Sequence, residues 1–153
     1  MKLYLIRHGQ PLSREADPTQ PLTDQGRLDI ATTTRFLVQT GISVREIWHS
    51  EKVRSRETAW IVGQALTASR LVSKPGLAPL DPVDSIRAEI MDREDDLMIV
   101  GHLPSLSSLL NLLLGTPLGL ELVYFQTGGL VALERNRDNI WRIEFVIYPH
   151  LLE

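Results

Sequence analysis

The stretch Leu3–Gln10, which reads Leu-Tyr-Leu-Ile-Arg-His-Gly-Gln, joins an apolar run to three residues of a different kind. Leu3–Ile6 is an unbroken run of strand-forming residues, as expected of a strand that is covered on both faces. Arg7, His8 and Gly9 follow it as a cation, a titratable nucleophile and a flexible hinge. In open α/β folds, ligands bind at the carboxyl edge of the sheet. The stretch therefore predicts reactive side chains at that edge.

The composition indicates one soluble domain that spans residues 1–153. The formal net charge is −3 and the pI is about 5.8, which disfavours a nucleic-acid partner. The chain has no cysteine, so disulfides and thiolate chemistry are excluded. The longest apolar stretch is far too short to cross a membrane, and the N-terminus lacks the pattern of a signal peptide. We expect a cytoplasmic protein with no membrane partner.

Helices and strands are predicted to alternate along most of the chain, and strands to end it. The predicted helices run from a cap at Thr23 to Gly41, from about Lys52 to Ala68 behind a cap at Ser50, over Asp84–Arg93, and from Pro104 to Leu114. The predicted strands are Leu3–Ile6, Glu46–His49, the start of Leu71–Pro82, Leu97–Val100, Leu122–Phe125, Leu130–Arg135 and Ile140–Ile147, with a turn at Asn136–Asn139. This order predicts a three-layer α/β/α domain with a mostly parallel mixed sheet and an antiparallel end.

Two arginines and two histidines share one context. Arg7 and His8 follow the first strand, Arg54 lies in the first turn of the helix after the second strand, and His102 follows a later strand. If these strands are parallel, all four side chains lie at one edge of the sheet. Guanidinium groups match the geometry of a phosphate, and a neutral imidazole attacks phosphorus without the help of a base. The set therefore favours phosphoryl transfer, which relies on positioning and charge stabilisation.

These residues resemble the signature motifs of the histidine phosphatase superfamily, which is also called phosphoglycerate mutase-like. The matching segments are Leu5–Gly9, Pro21–Thr23 with Gly26, His49–Ser50 with Arg54 and Glu57–Ala59, Val100–Pro104, and Phe125–Gly129. The last segment is similar to that of the small SixA-type phosphohistidine phosphatases. The resemblance covers most of the chain and implies the fold of that superfamily.

The resemblance implies a role for each residue of the set. His8 would be the nucleophile that forms a phosphohistidine intermediate, with Arg7, Arg54 and His102 as the phosphate pocket around it. Thr127 and Gly128 would either bind the phosphate or only shape a turn. No spacing typical of metal ligands links the histidines, so we expect a metal-independent enzyme without a cofactor.

The sequence departs from the family pattern at three points. The family's proline after Ser50 is Glu51 here, and we predict that this carboxylate points away from the phosphate. The asparagine that many small-molecule phosphatases carry after their Arg-His-Gly triplet is missing, and Ser13 and Arg14 lie in that region. The long helical insertion that covers the substrate in larger members is also missing, which favours an open site.

The general acid is the least determined residue of the site. The candidates are Asp81, Asp84 and Glu89. We favour Asp81, because Pro79 and Pro82 would hold it in a loop at the sheet edge. An imidazole leaving group needs less help from an acid than an alkoxide does. A weak acid role would therefore favour phosphoramidate substrates over alkyl phosphates.

Three functions are open at this point. The first is a SixA-type phosphatase whose partner is a protein that carries phosphohistidine. The second is a small-molecule phosphomonoesterase that acts on a sugar or nucleotide phosphate. The third is a non-catalytic module that binds phosphorylated partners. The intact set of Arg7, His8, Arg54 and His102 argues against the third.

Overall fold

The computed structural model describes residues 1–153 and contains one six-stranded sheet. The strands are β1 (Lys2–Arg7), β2 (Glu46–His49), β3 (Arg70–Ser73), β4 (Leu97–Gly101), β5 (Leu130–Arg135) and β6 (Trp141–Ile147). The helices are α1 (Asp24–Gln39), α2 (Val53–Leu66), α3 (Asp84–Met91) and α4 (Ser105–Leu114), and a short 3₁₀ turn covers Pro149–Leu151. None of the helices is long and apolar enough to span a membrane.

The order of strands in the sheet is β3-β2-β4-β1-β5-β6. The first four of these are parallel, whereas β5 is antiparallel to β1 and β6 is antiparallel to β5. The predicted mixed α/β sheet with an antiparallel end is therefore confirmed. Parallel neighbours need crossover connections, which the helices supply.

The alternation of side chains along β1 divides the core into two halves. Leu3 and Leu5 are fully buried on one face, in a cluster that includes residues of α3 and α4. Tyr4 and Ile6 point to the other face and belong to a cluster that includes residues of α1 and α2. Because successive residues of a strand point to opposite faces, the apolar run predicted a strand that is buried on both sides.

The signals that limit the first helix act as the sequence predicts. Thr23 precedes α1, and its hydroxyl accepts a hydrogen bond of 2.9 Å from the amide of Gly26. Gly41 follows the helix with a φ of +73°, a conformation that glycine adopts without strain.

Two predictions about local structure are wrong. Leu122–Phe125 is irregular rather than a strand, and its Phe125 carbonyl accepts from the side chain of Arg7 and not from a neighbouring strand. Its Phe125 ring fills the core, while Leu122 stays exposed. Ser50 does not cap α2 either, since the cap position is Lys52 and has no side-chain bond. Ser50 has another role, described below.

Candidate active site

Three neighbouring parallel strands end at the same edge of the sheet and place the predicted residues together. In the register of the sheet, Arg7 of β1 lies beside Gly101 of β4, so His8 and His102 follow at the same level. The amide of His8 donates to the Gly101 carbonyl at 3.1 Å, which ties the two strand ends together. The centroids of the His8 and His102 rings are 4.8 Å apart.

The ring of His8 is oriented so that one nitrogen is available for attack. Its Nδ1 lies 2.7 Å from the carbonyl oxygen of Gly9 and donates to it, which leaves the lone pair on Nε2. The side chain is buried, and Nε of Arg54 donates to Nε2 at 3.3 Å. Burial is the main cause that lowers the pKa of His8 to about 4. The hydrogen bond to the Gly9 carbonyl raises this pKa, and the charges of Arg54 and Arg7 lower it. At neutral pH the His8 ring is therefore uncharged, and its Nε2 can act as a nucleophile.

His102 is fixed by a hydroxyl group. Its Nε2 lies 2.5 Å from Oγ of Ser50, and this Oγ also accepts the amide hydrogen of Lys52 at 3.3 Å. The Ser50 hydroxyl has no other acceptor for its own hydrogen, so we assign it as the donor to Nε2, which places the hydrogen of the neutral ring on Nδ1. Burial, with smaller contributions from the neighbouring His8, Arg54, Lys52 and Arg7, lowers the pKa of His102 to about 3. His102 is thus a neutral hydrogen-bond donor at neutral pH.

The two arginines bring positive charge without a counter-ion. Nη1 of Arg7 donates to the carbonyl of Phe125 at 2.8 Å, which aligns the guanidinium at the end of β1. Burial lowers the pKa of Arg7, and burial together with the charge of Arg14 lowers that of Arg54. No carboxylate forms a salt bridge with either residue. Nε of Arg7 and Nδ1 of His102 are buried and have no partner within the protein, so an anion that accepts hydrogen bonds fits this site.

Two small hydroxyl residues of α2 hold the beginning of that helix against the sheet. Oγ of Ser55 donates to the Val100 carbonyl at 3.0 Å and accepts from the Ser50 amide at 3.1 Å. Oγ1 of Thr58 accepts from the Gly9 amide at 3.1 Å and donates to the Arg54 carbonyl at 2.8 Å. These bonds fix Arg54 relative to His8.

Sequence reasoning missed the roles of Ser50, Ser55 and Thr58. The available signal is that all three hydroxyl residues lie within four positions of Arg54 in the sequence. They would all be buried if Arg54 faced the sheet edge. A buried hydroxyl group needs a hydrogen-bond partner, and the strand ends are the nearest source of one.

Gly128 acts on the site through the backbone. Its amide donates to the carbonyls of Arg7 at 3.0 Å and His8 at 3.1 Å, and its carbonyl accepts from Oγ1 of Thr33 at 2.8 Å. Its φ is +74°, and a Cβ atom would lie 3.1 Å from the ring of Pro149, so the position requires glycine. Thr127 is half-buried. Contact of either residue with a phosphate stays a prediction.

Asp81 does not touch the two imidazoles. Its carboxylate accepts from the amide of Ala78 at 3.0 Å, within its own loop. It lines an open groove of about 620 Å³ that Arg54 also lines, together with the exposed Glu51. Of the other acid candidates, Asp84 is exposed at the start of α3 and Glu89 forms a salt bridge with Lys74. Asp81 is therefore the best placed of the three predicted acid candidates, and its role as an acid stays a prediction.

Comparison with known proteins agrees with this geometry. The model of the histidine phosphatase superfamily (branch 1) matches residues 3–85. An uncharacterized protein of Picosynechococcus is 32% identical over 113 residues, which are 69% of this chain and 68% of that protein. The mitochondrial serine/threonine-protein phosphatase Pgam5 of Drosophila mojavensis is 43% identical over 61 residues, 39% of this chain and only 21% of the length of Pgam5.

Solved structures show the same fold over the whole chain. The protein histidine phosphatase SixA, in complex with tungstate, superposes with a TM-score of 0.87 at 21% identity, and all of both chains is covered. A putative α-ribazole-5′-P phosphatase from Escherichia coli K-12 superposes with a TM-score of 0.77 at 19% identity, over 97% of this chain and 98% of that one. The class that the fold and the site define is that of a phosphatase with a histidine nucleophile. The chain belongs to the histidine phosphatase superfamily.

Proposed function

We propose that this protein hydrolyses phosphohistidine in a protein substrate, by way of a phosphohistidine intermediate on His8. The observation that carries the proposal is the pairing of an uncharged, oriented His8 Nε2 with two guanidinium groups that have no counter-ion. Such a site binds a phosphoryl group and presents a nucleophile to it in the same place.

The reaction proceeds in two displacements. Nε2 of His8 attacks phosphorus and the N–P bond of the substrate breaks. The leaving imidazole departs as a neutral ring that keeps the proton already carried by its other nitrogen. Arg7 and Arg54 neutralise the phosphoryl oxygens, and the Nδ1 hydrogen of His102 donates to one of them. Water then attacks phosphorus on the opposite side, the N–P bond breaks, and phosphate and neutral His8 are released. The donors are held in place before the reaction, which is the main source of catalysis in such transfers.

The surroundings of the leaving group support a phosphoramidate substrate. Asp81 is bound to its own loop, and no carboxylate contacts His8 or His102. A histidine leaving group departs as an already protonated imidazole and does not require an acid at that position. An alkoxide leaving group does require one.

The open groove supports a protein substrate. It is about 620 Å³ in volume, and Leu80 at its border is 86% exposed. No helix covers it, so a phosphorylated side chain that projects from a protein surface has access. The full-length similarity to a SixA structure, whose name describes a protein histidine phosphatase, points the same way.

The test compares substrates and variants in one panel. The wild-type protein is assayed on a phosphohistidine peptide, a sugar phosphate and a nucleoside monophosphate, beside His8→Ala and a matched control, His150→Ala, which removes an exposed histidine. We expect the highest kcat/KM on phosphohistidine and a loss of at least about 1,000-fold in His8→Ala alone. Phosphate trapped on the protein should be acid-labile and base-stable, and should be absent from His8→Ala.

A small-molecule phosphomonoesterase is the second candidate, because the fold is equally that of an α-ribazole-5′-P phosphatase and Asp81 shares a groove with Arg54. If this candidate is right, Asp81→Asn lowers kcat on alkyl phosphates about 100-fold or more and spares phosphohistidine. Equal and negligible losses on both substrates would remove Asp81 from the mechanism. No turnover and no trapped phosphate, with retained phosphate binding, would indicate a non-catalytic module.

A further inference from the structure

The groove beside Arg54 carries more positive charge than the transferred phosphoryl group needs. Arg7 and Arg54 already serve the phosphoryl group, and neither has a carboxylate partner. The lining of the groove adds two more cations, Arg14 and Lys52. The residues that define it for this purpose are Arg14, Gln20, Lys52, Arg54, Pro79 and Asp81.

Arg14 is carried by a turn with defined hydrogen bonds. The hydroxyl of Ser13 accepts from the Ala16 amide at 3.1 Å, and the carbonyl of Ser13 accepts from the Asp17 amide at 3.0 Å. The amide of Leu12 donates to the Pro21 carbonyl at 2.7 Å, which closes the loop at its base. The backbone of Arg14 is thus fixed, and its exposed side chain forms no salt bridge.

Lys52 lines the same groove and occupies the cap position of α2, two residues before Arg54. It is exposed and also forms no salt bridge, although Glu51 is its neighbour in the chain. Lys52 and Arg14 line the same groove as Arg54. The charge of Lys52 contributes to the lowered pKa of His102, and that of Arg14 to the lowered pKa of Arg54, so both cations lie close to the phosphate pocket.

The two carboxylates of the groove do not cancel this charge. Asp81 is bound to the Ala78 amide, and both Asp81 and Glu51 also line a neighbouring cleft that contains Lys74. Neither carboxylate forms a salt bridge with Arg14, Lys52 or Arg54. The part of the groove next to the phosphate pocket is therefore positive.

We propose that Arg14 and Lys52 form a second anion subsite, which binds a negatively charged group of the leaving group beside the phosphoryl group. This inference rests on the proposed function and narrows its substrate class. In a protein substrate the second anion is the carboxylate of an acidic residue next to the phosphohistidine. In a small substrate it is a second phosphate. Exposed cations beside the phosphate pocket favour a more negatively charged substrate in two ways. They raise its rate of association with the protein, and they strengthen its binding.

The experiment pairs substrates that differ only in the second charge. One pair is a phosphohistidine peptide with flanking glutamates and the same peptide with glutamines, and the other is a sugar bisphosphate and its monophosphate. The proteins are the wild type, the double variant Arg14→Gln/Lys52→Gln, and a control, Arg137→Gln, at the β5–β6 turn on the opposite edge of the sheet.

We expect the wild type and the control to prefer the more acidic member of one pair by about tenfold in kcat/KM, and the double variant to prefer it by less than twofold. The preference should weaken as salt is raised from 0.05 to 0.5 M. The pair that shows it identifies the source of the anion. A wild type without a preference in either pair, or a preference that the double variant keeps, overturns the proposal.

A binding measurement separates this proposal from the proposed function. Calorimetric titration with inorganic phosphate and with tripolyphosphate needs no turnover. We expect tripolyphosphate to bind the wild type about tenfold more tightly than phosphate does, and the double variant to lose this advantage. If no substrate is hydrolysed but the advantage is present and lost on substitution, the proposed function fails and the subsite stands. Equal affinities in the wild type overturn the subsite.

Discussion

Lowering the pH from 7 to 4.5 should destabilise the folded protein, because two buried imidazoles stay neutral in it. In the unfolded chain a histidine has a pKa of about 6.5. In the folded protein the pKa of His8 is about 4 and that of His102 about 3. Between these limits the unfolded chain binds more protons, so the free energy of unfolding falls as the pH falls. The stability is fully present above pH 6.5 and is lost progressively toward the folded-state pKa values.

The magnitude follows from the sizes of the two shifts. Each pH unit over which one histidine is protonated only in the unfolded chain costs about 1.4 kcal/mol, so between pH 7 and pH 4.5 each residue costs about 2–3 kcal/mol. The pair therefore costs about 5 kcal/mol, a large part of the 5–15 kcal/mol typical of a domain.

The assay is urea unfolding at pH 7, 5.5 and 4.5 for the wild type, His8→Gln, His102→Gln and the double variant. Other groups that titrate in this range contribute equally to all four proteins, so the differences isolate the two rings. Each single variant should recover about half of the wild-type loss, and the double variant nearly all of it. A double variant that loses as much stability as the wild type between pH 7 and 4.5 would refute the reasoning.

Three further substitutions test other parts of the structure. Ser50→Ala removes the hydroxyl that holds His102 and should lower kcat/KM about 10- to 100-fold, at a cost of about 1–3 kcal/mol in stability because Nε2 of the buried ring loses its partner. Ser50→Thr should restore most of the rate, and a loss of stability without a loss of rate would contradict the role. Gly26→Ala places a methyl group 2.4 Å from the Gln10 carbonyl and should cost about 1–3 kcal/mol in urea unfolding, whereas the exposed Gln25→Ala on the same helix should be neutral. Arg135→Met removes the donor of the Met91 and Arg93 carbonyls beyond α3, whereas the Ile90 carbonyl keeps the Arg93 amide as its donor. It should cost about 2–3 kcal/mol with unchanged kcat, and an unaltered unfolding midpoint would contradict this.

The sequence predicted the parts of the site that depend on local pattern. An apolar run followed by a polar residue marks the end of a buried strand, and this rule located His8 and His102. It also gave β2 its correct bounds, because Glu46–His49 is bordered by turn residues. The same rule failed at Leu122–Phe125, where four consecutive apolar residues form an irregular segment and pair with no strand.

The parts that the sequence could not predict depend on the order of strands. β4 lies between β2 and β1, although it is the fourth strand in the chain. Only this arrangement brings Ser50, which follows β2, into contact with His102, which follows β4. Read locally, a serine before a helix is a cap, and that reading was wrong because the tertiary partner was 52 residues away.

The site is stabilised by the rest of the fold rather than by its own interactions. Two guanidinium groups are partly buried without a carboxylate, and two imidazoles are held below their ordinary pKa. In water these groups would be better solvated, so the two core clusters and the hydrogen bonds of Ser55, Thr58 and Gly128 must hold them in place. An anion that binds in the site supplies the negative charge that Arg7 and Arg54 lack. It also supplies hydrogen-bond acceptors for Nε of Arg7 and Nδ1 of His102. Because these donors are already oriented, little free energy is spent on rearranging them when the anion binds. Their hydrogen bonds can therefore stabilise the charge that develops during phosphoryl transfer.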